Sequence, residues 1–148
     1  MRNTLRLDLE DAKILAEGAE KSANNMGIKV CISICDENGD LILFHKMNDA
    51  FLISTEISIS KAYTAVAVKM PTRTIGETTY PGKVNYGLQF TNLGRFTILP
   101  GGFPIIINGN VIGGIGISGG TSEQDEKIGL DSIAYFKSKT NLQVKTNF

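Results

Sequence analysis

A chain of 148 residues is long enough to form one domain, residues 1–148, with a hydrophobic core of its own. Its fifteen basic and fifteen acidic side chains cancel without long runs of either sign, which argues against the basic surface typical of nucleic-acid and anionic-membrane binders. No apolar stretch approaches the roughly 18 residues of a membrane span, and the first residues lack the apolar centre of a signal peptide, so we expect a soluble cytoplasmic protein with a small molecule or another protein as its partner.

The first predicted element is a helix over residues 7–27. Asp8 is a suitable N-cap, Asp11 adds negative charge to the first turn, and Gly27 suits the exit. Small and apolar side chains recur at helical spacing on one stripe: Leu9, Ala12, Ala16, Ala19 and Ala23. A stripe of this kind lets the helix lie close to a neighbouring sheet.

A hairpin is predicted next. Apolar residues alternate with others over 28–35, the turn formers of 36–39 follow, and residues 40–46 form the returning strand. Cys31 and Cys35 would lie about 13 Å apart along one strand, beyond the roughly 7 Å that a disulfide tolerates. We expect two buried, reduced thiols.

A second helix is predicted from Thr55 to Met70, where Pro71 stops it. Residues 71–95 show no sustained periodicity and contain several turn formers, which indicates short helical pieces joined by loops. Irregular segments of this length in a compact domain are often functional.

Three strands and a helix complete the chain. The strands are predicted at 95–99, 103–107 and 111–118, and Asn108-Gly109 between the last two is a strong hairpin signal. Ser122 is a suitable cap for the closing helix, with Asp125 three residues later. Hairpins with separate helices favour an α+β fold with an antiparallel sheet.

The glycines of GGIGISGG, residues 113–120, spell a dinucleotide-binding fingerprint. They lie inside a hairpin strand, and the second strand that a dinucleotide-binding unit requires is missing after them. We therefore predict that NAD and FAD do not bind. Glycines in a strand still let another backbone or a flat ligand approach closely, and the alanine stripe of the first helix is an equally suitable neighbour.

Several segments in order resemble the GlcG/HbpS-like family, which includes the C-terminal domain of PduO proteins. They are residues 36–50, 60–65, 71–72, 99–105 and 111–125, with PGGFP followed by IGGIGISGG and QD as the most specific set. The resemblance implies a profilin-like or PAS-like fold of three α/β/α layers with a five-stranded antiparallel sheet. It also implies assembly into dimers or larger oligomers, and haem or another tetrapyrrole as a ligand.

Histidine content bears on haem binding. The resemblance implies a histidine near the N-terminus as the iron ligand, whereas the first helix here contains none and His45 is the only histidine in the chain. His45 remains the single imidazole candidate, and a hydrogen-bonded structural role is the alternative. We expect haem to bind weakly, through apolar contacts and its propionates.

Two loops are predicted to line a ligand site. Residues 100–104 combine prolines with glycines in a stiff loop, and residues 118–122 lead into a helix N-terminus that favours anions. A cation at Lys61 or Arg73 could neutralise a ligand acid, or simply lie at the surface. The candidate ligand-binding residues are Pro100, Gly101, Gly102, Pro104, Ser118, Gly119, Gly120, Asp125, Lys61 and Arg73.

Three functions remain open at this point. The protein could bind a flat or anionic small molecule, act as an oligomeric accessory protein of a metabolic pathway, or be an enzyme with a pocket of backbone amides. No nucleophile setting and no metal-binding cluster is visible in the sequence.

Overall fold

The computed structural model describes residues 1–148, and its core is one antiparallel sheet covered by helices on both faces. The helices are α1 (Leu9–Met26), α2 (Ser54–Val68), α3 (Thr72–Gly76) and α4 (Ser122–Thr140). The strands are β1 (Cys31–Asp36), β2 (Leu41–Lys46), β3 (Gly102–Ile107) and β4 (Asn110–Ser118). This arrangement confirms the α+β class. No helix combines the length and the apolar character that crossing a membrane requires.

The strand order in the sheet is β2-β1-β4-β3, and all neighbours are antiparallel. Both predicted hairpins are present. The Asp36 carboxylate accepts the backbone N–H groups of Asn38 and Asp40 and so holds the first turn. Asn108 and Gly109 both have positive φ, 50° and 77°, which suits the twist of a two-residue hairpin turn.

The main core lies between the sheet and the helices α1 and α4. It contains the isoleucines that alternate along the two central strands, Ile32 and Ile34 of β1 with Ile115 and Ile117 of β4. The α1 helix begins at the predicted N-cap Asp8, which forms a capping box with Asp11, and ends at Gly27, whose φ is 70°. The four alanines of its predicted stripe are fully buried in this core, whereas Leu9, also predicted on the stripe, is 47% exposed at the first turn.

The opposite face of the sheet carries α2, which approaches the glycines of β4 at backbone distance. A Cβ atom on Gly114 would lie 2.8 Å from the Ala62 carbonyl oxygen, and one on Gly116 would lie 2.6 Å from the Ala62 nitrogen. The Ser33 and Ser58 hydroxyl groups meet at 2.7 Å across the same interface. Of the two alternatives predicted for these glycines, close approach of another backbone is confirmed, since Gly114 and Gly116 accommodate α2. The other alternative, the alanine stripe of α1, is wrong at these positions.

The fifth strand, predicted at residues 95–99, is absent. The Thr97 N–H donates to the Thr64 hydroxyl oxygen at 3.0 Å, so this backbone bonds to a helix side chain instead of a strand. The outer edge of β3 is met by the C-terminal segment, where Val144 bridges to Ile107 and the Lys145 N–H donates to the Ile106 carbonyl at 2.9 Å.

Element ends differ from the predictions at two places. The α2 helix ends at Val68, two residues early, because Lys69 adopts a left-handed conformation with φ 59°. Thr121, not Ser122, caps α4, and Gln124 completes its capping box in place of Asp125. Residues 71–95 form short helical pieces as predicted, with 3-10 turns at 88–90 and 92–94.

Candidate functional site

A cleft of about 270 Å³ opens between the N-terminal end of α2, the loop before β3 and the start of α4. One wall is apolar and is formed by Phe51, Ile53, Ile57 and Leu99. The facing wall is polar and includes Lys61, Ser118, Gly119, Gly120, Ser122 and Asp125. We call this space the Lys61 cleft.

A buried ion pair forms the base of the Lys61 cleft. The Lys61 Nζ atom lies 2.9 Å from Asp125 Oδ2 and 2.6 Å from the Ile117 carbonyl oxygen, to which it also donates. Both side chains are nearly inaccessible, with 3% and 4% of their surface exposed. The pair links α2 to α4 past the end of β4.

Burial controls the acid-base behaviour of this lysine. Removal of water lowers the pKa of Lys61, and attraction to the Asp125 carboxylate opposes that shift only in part. Because the ammonium already bonds to a carboxylate and a carbonyl, it offers a ligand little uncompensated positive charge. The Lys61–Asp125 pair therefore holds the polar wall of the cleft in position and is poorly suited to neutralising an acidic group of a ligand.

The start of α4 supplies the other polar groups of the Lys61 cleft. The Gly120 N–H donates to Asp125 Oδ1 at 2.8 Å, so Asp125 occupies one of the amides that an anion would use. The Ser118 and Ser122 side chains take part in none of the hydrogen bonds within the chain, although both residues line the cleft. Their hydroxyl groups are free to bind a ligand.

The loop before β3 is mainly structural. Gly101 has a φ of 120°, and a Cβ on it would lie 2.9 Å from Lys61 Nζ. The Gly102 N–H donates to the Thr72 hydroxyl at 3.0 Å. Pro104 is buried in β3 opposite Gly114. Of the predicted loop residues only Pro100 lines the cleft.

Comparison with known proteins identifies the family. The sequence model described as haem degrading protein HbpS-like matches residues 7–134. The chain belongs to the HbpS-like family. An uncharacterized 15.0 kDa protein from the dhaT-dhaS intergenic region of Citrobacter freundii is 41% identical over 130 residues, which are 88% of this chain and 92% of that protein.

Two further comparisons show similarity over nearly the full chain. The corrinoid adenosyltransferase PduO of Citrobacter freundii is 35% identical over 137 residues, 93% of this chain, which spans only 41% of PduO. The crystal structure of the PduOC:haem complex superposes with a TM-score of 0.88 at 34% identity, covering 97% of this chain and 100% of that one.

Two residues singled out in this HbpS-like sequence do not line the Lys61 cleft. Arg73 pairs with Glu126 through two nitrogens, the shortest distance being 2.7 Å. His45 stands on β2 with its Nδ1 atom 2.5 Å from Glu20 Oε1, and 45% of its side chain is exposed. His45 therefore forms a hydrogen bond with Glu20, which agrees with the alternative to iron ligation.

Sequence reasoning missed the apolar wall of this HbpS-like cleft. Phe51 and Ile53 are 67% and 68% exposed, and Leu99 is 46% exposed. The signal was a run of three large apolar residues, 51–53, placed before a helix instead of within it. Large apolar residues at a helix start are read as core by default, so their exposure is visible only in the structure.

Proposed function

We propose that this protein binds a flat small molecule with acidic groups, haem or another tetrapyrrole, in the Lys61 cleft. The observation that carries the proposal is the cleft's division into an accessible apolar wall and a polar wall at the start of α4. The haem complex of PduOC, which is 34% identical to 97% of this chain, supports the choice of ligand.

Each wall has a distinct part in the proposed complex. A macrocycle lying on Phe51 and Ile53 removes their exposed apolar surface from water, which contributes about 25 cal/mol per Å². Its acidic groups lie toward the free hydroxyls of Ser118 and Ser122, where the first turn of α4 favours negative charge. Lys61 and Asp125 hold this wall in place.

The lining of the Lys61 cleft contains no iron ligand from this chain. No histidine, cysteine, methionine or tyrosine lines it. Cys35 packs under α2 with Ala62 and Val66, and burial raises the pKa of its thiol to about 12, so the thiolate that binds iron is not formed at neutral pH. We therefore expect weak haem binding.

A haem titration followed by Soret absorbance tests the site. Ile53→Asp places a charge in the apolar wall and should weaken binding at least about tenfold. Leu52→Asp is the matched control, because Leu52 is 83% exposed but does not line the cleft. His45→Ala should leave the titration unchanged.

Three results contradict the proposal. Equal losses in the two aspartate variants would place the ligand elsewhere, and loss of a sharp transition in His45→Ala would make His45 the iron ligand. A tight stoichiometric transition in the native chain would refute the expected weak binding.

We also propose that the protein self-associates as a dimer or larger oligomer and assists a metabolic enzyme. Exposed apolar side chains in the irregular segment, Val84, Phe90 and Leu93, support the first part. Similarity to PduO, a corrinoid adenosyltransferase, supports the proposed role beside a metabolic enzyme. A particle of 16.0 kDa in light scattering would contradict self-association, since stable interfaces usually bury about 1,200 Å² or more.

A further inference from the structure

A second and larger cavity lies at the other end of α2. It holds about 700 Å³ and is lined by residues 2–5, Glu37, the C-terminal end of α2 and the β3–β4 turn. This volume lies within the roughly 300–1,000 Å³ of typical small-molecule pockets. We call it the Glu37 cavity; it shares no lining residue with the Lys61 cleft, and the nearest lining residues of the two sites on α2, Lys61 and Val66, are about 7.5 Å apart along the helix.

The N-terminal wall of the Glu37 cavity is anchored to the sheet. The Leu7 N–H donates to the Ile112 carbonyl at 3.1 Å, and the Leu7 side chain is 3% exposed. It occupies the space that a side chain on Gly113 would fill. The segment that precedes Leu7 is thereby held beside the end of α2.

One carboxylate in this cavity is only partly satisfied. Glu37 Oε1 lies 3.3 Å from Arg6 Nε. Glu37 Oε2 is shielded from solvent and has no hydrogen-bond partner. A buried acceptor without a partner costs about 1–3 kcal/mol, so a carboxylate that turns this oxygen toward a donor group of a ligand in the cavity would recover that free energy.

Two cations in the same cavity also lack partners. Arg2 and Lys69 line it, and neither takes part in any ion pair of the molecule. Lys69 is held there by the left-handed turn that ends α2. The cavity thus combines two positive charges with one carboxylate oxygen that lacks a hydrogen-bond donor.

We propose that the Glu37 cavity binds a small organic acid that also carries an amino or hydroxyl group. The acid lies between Arg2 and Lys69, and the amino or hydroxyl group donates to the Glu37 carboxylate. This site is separate from the Lys61 cleft and does not depend on haem binding. Its ligand class is an amino acid or a hydroxy acid.

The test is a titration of ¹⁵N-labelled full-length protein with L-serine and with L-lactate, followed by amide chemical shifts. Saturable shifts should cluster at Asn3, Lys69 and Asn110. Acetate and methylammonium, which each carry one of the two groups, should bind at least about tenfold more weakly.

Variants locate the binding groups. Glu37→Gln and Lys69→Gln should each weaken L-serine binding about tenfold. Lys127→Gln is the matched control, because Lys127 pairs on the surface with Asp131, and its affinity should equal that of the native chain. Haem titration of Glu37→Gln should also match the native chain, which separates this site from the Lys61 cleft.

Three results would overturn the proposal. The first is the absence of saturable shifts with both acids up to on the order of 10 mM. The second is shifts that cluster in the Lys61 cleft instead. The third is equal affinity in the native chain and in both glutamine variants, which would show that neither charge contributes.

Discussion

Removing the buried ammonium of Lys61 should strongly destabilise the fold. Lys61→Met keeps a long unbranched side chain of similar length but leaves Asp125 Oδ2 without its partner at 2.9 Å and the Ile117 carbonyl without its donor at 2.6 Å. Asp125 retains only the Gly120 N–H on its other oxygen. The variant therefore contains a nearly inaccessible carboxylate with no counter-ion.

The expected loss in the free energy of unfolding is about 3–5 kcal/mol, the usual cost of breaking a buried pair by removing one partner. That is a large share of the about 5–15 kcal/mol that stabilises a typical domain. With a urea slope of about 2 kcal/mol per M, the unfolding midpoint should fall by about 1.5–2.5 M. Lys61→Met/Asp125→Asn removes both charges and should be more stable than Lys61→Met alone.

Urea unfolding at neutral pH, followed by circular dichroism, measures these differences. The control is Lys127→Met, which breaks an exposed pair of 3.1 Å on α4 and should cost about 0.3–0.5 kcal/mol. A loss below about 1 kcal/mol for Lys61→Met would place its pair in the range of surface pairs. The reasoning from burial would then be refuted.

Two further predictions concern the face of the sheet under α2. Burial raises the pKa of the Cys35 thiol from 9.0 to about 12, so between these values the unfolded chain loses a proton that the folded chain keeps. Stability should fall by about 1.4 kcal/mol per pH unit from this group. Cys35→Ala should remove this pH dependence when the urea midpoints at about pH 8 and about pH 10.5 are compared. An equal fall in the midpoints of the native chain and the variant would contradict the prediction. Gly116→Ala should lower the free energy of unfolding by about 1–3 kcal/mol in the same assay, because its Cβ would lie 2.6 Å from the Ala62 nitrogen. An unchanged midpoint would show that α2 moves away from the sheet without loss of stability.

Local signals in the sequence predicted most elements correctly. The N-cap at Asp8 and the turn at Asn108-Gly109 involve residues within three positions of each other. Short-range hydrogen bonds and backbone preferences decide such features, so the sequence contains the information directly. The failed strand at 95–99 has suitable residues, but its backbone bonds to Thr64.

The candidate site was predictable only in part, because its parts are distant in the chain. Lys61 and Asp125 were both singled out, yet their pairing spans 64 positions and no local pattern indicates it. Arg73 was singled out on equal grounds and pairs with Glu126 instead. The residue types indicated charge, whereas the tertiary placement of α2 and α4 beside the end of β4 decided which charges meet.

The close contact between the β4 glycines and the α2 backbone has a consequence for suppressor mutations, which a comparison with Gly129 of α4 makes clear. At Gly129 an added Cβ would meet only side-chain atoms, Phe103 Cδ2 at 2.7 Å being the nearest, so a smaller residue at position 103 can restore the fit. At Gly116 the obstacle includes the backbone nitrogen of Ala62, which every residue at position 62 retains. Damage at Gly129 is open to second-site rescue, whereas exchanging the residue at position 62 cannot remove the obstacle at Gly116.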